Sequence, residues 1–140
     1  MAKQKNIYAG FWLRLTAYII DMIVLMGVGV VLGLFLSIIA PDIIRQESEG
    51  VWNVIGIGIA WIYYASMESS SKQATLGKMA LGLKVTDLEK KPISFGKASG
   101  RFFGKILSGI ILGIGYLMIA FTEKKQGLHD ILAGCLVLKK

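Results

Sequence analysis

Between Met22 and Ala40 the chain runs for 19 residues without a charged side chain, and no other feature limits its fold as strongly. As a helix rising ~1.5 Å per residue, this run is ~28 Å long and crosses the hydrocarbon of a bilayer unaided. Lys3 and Lys5 ahead of it suggest a secretory signal. That reading fails, because the run exceeds the ~7–15 residues of a signal's apolar region and no small-x-small cleavage pattern precedes Pro41. A spanning helix is therefore expected from about residue 8 to 40, ended by Pro41-Asp42. The hydrophobic fraction of 54% and mean hydropathy of +0.61 suit a membrane domain better than a soluble one.

A second apolar run, residues 51–68, follows, with Trp52 near one end and Trp61, Tyr63 and Tyr64 towards the other, as interfacial anchors would lie. The loop between the two runs has Asp42, Glu47 and Glu49 against Arg45, so it is expected outside. Residues 69–95 carry Lys72, Lys78, Lys84, Lys90 and Lys91, and the positive-inside rule puts them in the cytoplasm. Within them Thr75–Gly82 reads as a short amphipathic helix, and Leu83–Asp87 and Pro92–Phe95 as short extended pieces.

Residues 96–122 allow two topologies. Either 102–121 is a third full span, or Gly109, Gly113 and Gly115 bend the chain into a re-entrant pair of half-span helices. The basic segment 123–140, with Lys124, Lys125, Lys139 and Lys140, favours the bend, because it returns these charges to the cytoplasm with the N-terminus. The expected fold class is thus an all-α membrane protein of one domain, residues 1–140. It has two full transmembrane helices, a glycine-bent pair or third span, and a small cytoplasmic cap.

The net charge of +7 would suggest nucleic acid in a soluble protein, but these cations flank apolar runs, so the bilayer and its anionic lipids are the expected partners. His129 and Cys135 are the sole residues of their kinds. A disulfide within the chain is excluded, and no metal site, phosphate loop or nucleophile with its base can be assembled, so neither catalysis nor a cofactor is expected.

What stands out is a set of ionisable residues attached to membrane segments. Arg14 and Asp21 lie two turns apart on one helix face, Glu68 closes the second apolar run, and Asp130 sits in a short turn after Gly127. Charges at such positions pair with one another or mark a pathway. Lys97, Arg101 and Lys105 form a cationic stripe beside a small-residue stripe of Gly96, Gly100, Gly104 and Ser108. Together with Lys78, that cationic stripe is a candidate contact for lipid headgroups or a partner protein. A homo-oligomer packed through Gly29/Gly33 or Gly96/Gly100/Gly104 is also expected.

Three motifs in order, Ala9-Gly10-Phe11-Trp12-Leu13-Arg14-Leu15, Thr75-Leu76-Gly77-Lys78 through Val85, and Gly127-Leu128-His129-Asp130-Ile131-Leu132-Ala133-Gly134, give a pattern that resembles the RDD family of small bacterial membrane proteins. The arginine and two aspartates that name the family fall on Arg14, Asp21 and Asp130, and Glu68 lies where members often carry an acid. Cys135 departs from the threonine found in many members. The resemblance implies a bacterial inner-membrane location and a cytoplasmic pairing of Leu83–Thr86 with Cys135–Leu138 as strands. It also implies a candidate role in sodium/proton exchange at Asp21 and Asp130. The alternative is a non-transporting scaffold or regulator that holds another membrane protein or an anionic lipid.

Overall fold

The computed structural model describes residues 7–46 and 48–140. Helix α1, Phe11–Ile39, and helix α3, Glu49–Ser69, are the two long apolar helices, joined by the short α2, Pro41–Gln46, where the sequence suggests a loop. α1 begins three residues later than the sequence suggests. The reason lies at the other end of the chain: Ile7 and Ala9 bond the backbone of Lys139 and Val137, and Tyr8 bridges Leu138, so this segment is extended rather than helical.

After α3 come α4, Leu76–Ala80, and strand β1, Leu83–Asp87. Thr75 caps α4 by accepting a hydrogen bond from the backbone N–H of Lys78. β1 pairs antiparallel with β2, Cys135–Lys139, in the register Leu83 with Lys139 through Asp87 with Cys135. The family pattern implies this same pairing. Pro92–Phe95 forms no strand; Ser94 instead caps helix α5, Phe95–Ile110, from the backbone N–H of Lys97.

α5 and α6, Ile114–Phe121, meet at an angle of 104°. The turn uses left-handed backbone at Leu112 (φ 58°) and Gly113 (φ 75°), and glycine takes the second without steric cost. The pair is bent back on itself rather than straight, and α7, Leu128–Ala133, then leads into β2 beside residues 7–9. Both described ends of the chain therefore sit on one two-stranded cap.

The packed core lies in and next to this cap: Ala9, Ala17, Ala65, Leu83, Val85, Ile93, Ala98, Cys135 and Val137. Away from the cap the long helices have little protein around them, with none of the most apolar window of α1 buried and 11% of that of α3. Those side chains, Val30, Val31 and Ile38 among them, are exposed as lipid-facing residues must be.

Candidate functional site: a buried ion network and two adjoining spaces

Directly beneath the cap, five elements send ionisable side chains to one place. Arg14 of α1 pairs with Asp130 Oδ2 of α7, and its Nε donates to the Ala9 carbonyl at 2.9 Å. Its remaining nitrogen donates to the Lys125 carbonyl. The other Asp130 oxygen accepts from Arg101 Nε of α5 at 2.7 Å, and Arg101 Nη1 reaches Glu68 Oε2 of α3 at 2.6 Å. Lys78 of α4 completes the chain of contacts at 2.7 Å from Glu68 Oε1. Arg101, Glu68 and Asp130 are no more than 1% exposed. Breaking one such pair leaves an uncompensated charge, so each holds its elements in register even where the pair itself adds little net stability.

α7 is short, and Asp130 also fixes its start, accepting from the backbone N–H of Gly127 at 3.2 Å. Burial alone would raise the Asp130 carboxyl, but Arg101 and Arg14 hold it well below the usual carboxylate range. Beside it, burial pushes the His129 imidazole down to about 3 against the opposing pull of Asp130, so this histidine is neutral. Burial likewise raises the Cys135 thiol, to about 11.

Asp21 is not part of this network. Its carboxylate accepts from the Tyr63 hydroxyl at 2.7 Å, the Thr75 hydroxyl at 2.6 Å and the Gly77 backbone N–H at 2.7 Å, all neutral donors. The approach needs glycine at residue 77, because a Cβ there would collide with the Ala17 carbonyl oxygen. Arg14, two turns from Asp21 on the same helix, pairs with Asp130 instead.

The cationic stripe divides. Lys97 is exposed, whereas Arg101 and also Lys78, candidates for lipid or partner contact, are buried in the network. Lys105 lies between these extremes. Its Nζ is 3.7 Å from Glu68 Oε1 and 4.3 Å from the centre of the Tyr64 ring, with no hydrogen bond of its own among the described residues. The glycine stripe divides too: a Cβ at Gly104 would stand 3.1 Å from His129, whereas Gly96 and Gly100 meet no such obstacle. Tyr63 and Tyr64, read as interfacial anchors, turn inward, and Trp61 donates to Ser99 Oγ at 2.9 Å. Asp21's partners Thr75 and Gly77 were visible only as part of the second motif, without a role.

Two spaces adjoin the network. A cavity of about 570 Å³ has a polar wall of Arg14, Asp21, Lys78, Arg101, Lys105 and His129, with apolar residues such as Phe11, Leu15, Leu112 and Leu117 around it. A groove of about 860 Å³ separates α1 from α3, walled by Met22, Met26, Gly29, Asn53, Gly56 and Ala60. Tyr18, Tyr64, Lys105 and Tyr116 line both.

Comparison with known proteins agrees with the three motifs. The RDD family matches residues 8–134. Two Bacillus subtilis (strain 168) proteins are similar over 94% of this chain: the uncharacterised protein YxaI, 40% identical and covered over 97% of its length, and the uncharacterised membrane protein YteJ, 32% identical and covered over 80%. No solved structure matches the chain.

Proposed function

We propose that this chain, which belongs to the RDD family, is a non-catalytic membrane scaffold or regulator that seats a transmembrane helix of another membrane protein in the groove between α1 and α3. The observation that carries this reading is the saturation of two of the acids, Glu68 and Asp130. Glu68 and Asp130 are each held by two cations of the same chain. An exchanger must release its carboxylates to trade a proton for a cation, and here release would strand buried arginines. A clamped network instead gives a rigid base on which two long helices stand apart.

The groove favours a helix as occupant. An α-helix is ~10–12 Å across with its side chains, and close approach needs small residues facing it. Gly29, Gly56 and Ala60 supply these, Met22 and Met26 adapt to an irregular surface, and Asn53 offers a polar contact at membrane depth. In this reading the cap faces the cytoplasm of a bacterial inner membrane, because the lysines gather around it.

Photo-crosslinking side chains at residues 26 and 56 of the full chain, in native membranes, test it. The expected result is one heterologous membrane protein captured from both positions. That partner's activity or abundance should change on deletion of the chain and be restored by wild type but not by Gly56→Leu. A Cβ at Gly56 would meet only open space, so the variant is expected to fold, which its thermal unfolding midpoint in detergent checks. Adducts to lipid alone, or to a second copy alone, overturn this reading in favour of a lipid-filled groove or the homo-oligomer.

One observation favours the second reading, sodium/proton exchange. Asp21 lines the cavity with only neutral donors around it, so its charge is not tied to a counter-ion. Sodium flux against a pH gradient in proteoliposomes, abolished by Asp21→Asn, would establish exchange and displace the scaffold.

A further inference from the structure

The charges beneath the cap do not balance. Arg14, Lys78, Arg101 and Lys105 bring four basic side chains, and Asp21, Glu68 and Asp130 three acidic ones, gathered beneath the cap. Asp21 also lines the cavity but is bonded to Tyr63, Thr75 and Gly77, so around Glu68 and Asp130 four basic groups face two acids. Buried basic groups in excess of their acids are costly to desolvate and call for a counter-anion.

Among the described residues, Lys105 is the cation of this cluster without a side-chain hydrogen bond, and it lines the cavity and the groove alike. Beside it the Tyr64 hydroxyl is fully buried with no hydrogen-bond partner among the described residues. An unsatisfied buried hydroxyl is a donor awaiting an acceptor. Apolar residues, Phe11, Leu15, Leu112 and Leu117, form the rest of the wall. We propose that the cavity binds a phosphate-class anion through Lys105 and the Tyr64 hydroxyl, with the apolar wall receiving the chains of a membrane lipid whose headgroup supplies that anion. The cavity and the outer groove meet at Lys105 and Tyr64, whereas Gly29 and Gly56 line the groove alone.

The test is made on the full chain purified in mild detergent and passed into nanodiscs. Wild type is expected to carry one anionic phospholipid per chain through extensive washing, by native mass spectrometry, and to be stabilised by phosphatidylglycerol over phosphatidylcholine. Lys105→Gln should lower retention ~10-fold or more, the effect of losing one charged contact. Tyr64→Phe should lower it several-fold, and Lys105→Arg should restore it. Lys97→Gln, on the exposed face of the same helix, should leave it unchanged. Inorganic phosphate forms the second arm: stabilisation by millimolar phosphate equal to that by lipid would support the anion site but assign it to a free anion. Equal lipid retention by wild type, Lys105→Gln and Tyr64→Phe, with no response to phosphate, overturns the proposal. Because Gly56→Leu leaves this cavity intact, failure here is separable from failure of the scaffold reading.

Discussion

Arg14 and Asp130 stand 116 positions apart in the chain and meet as a buried ion pair. Arg101 holds the second oxygen of the same carboxylate, so one acid ties α1, α5 and α7 together.

Removing that acid should be far worse than removing a surface charge. Asp130→Ala leaves two buried guanidiniums facing each other and frees the backbone N–H of Gly127. A loss of about 3–5 kcal/mol is expected, read as a lowered midpoint of thermal unfolding in detergent. Lys91→Ala, which breaks the exposed pair with Glu89, should change stability by less than about 1 kcal/mol.

The neutral His129 gives a distinct acid sensitivity. Its folded value is near 3 against an ordinary 6.5, so between those values the unfolded chain binds the additional proton and stability falls as pH drops. Each pH unit below about 6 should cost roughly 1.4 kcal/mol from this group. Asp130 adds its own loss only below the ordinary carboxylate value of 3.8. Unfolding midpoints measured from pH 7 to 4 should decline in wild type and flatten in His129→Gln; equal slopes would contradict the neutral imidazole.

Cys135 is fully buried with its thiol raised to about 11, so it should resist maleimide in the folded chain. That leaves introduced cysteines free to report sidedness. Arg45→Cys and Lys90→Cys should label from opposite faces of the membrane, and Lys139→Cys from the same face as Lys90→Cys.

How much of this was legible beforehand follows physical range. The long helices were readable because Met22–Ala40 needs only a local absence of charge. The bend was half readable: Gly113 marks it, but the equally unusual backbone of Leu112 has no signature in its side chain. Arg14, Asp21, Glu68 and Asp130 could be grouped as ionisable residues attached to membrane segments, yet neither their pairing nor Asp21's separation could be read, because Arg101 and Lys78 looked like surface cations until the fold turned them inward. The same holds for Tyr64, whose aromatic ring suggests an interface and whose hydroxyl proves to be enclosed. Asp21's donors escaped because they lie more than forty positions away.

The extended segment at residues 7–9 pairs with β2, the strand nearest the C-terminus. During synthesis the first helix thus enters the membrane long before anything exists to dock its leading end or neutralise Arg14. A chain halted before residue 130 would expose two arginines lacking their shared carboxylate and a bare strand edge. Emergence of β2 is therefore what lets the leading end of the first helix dock.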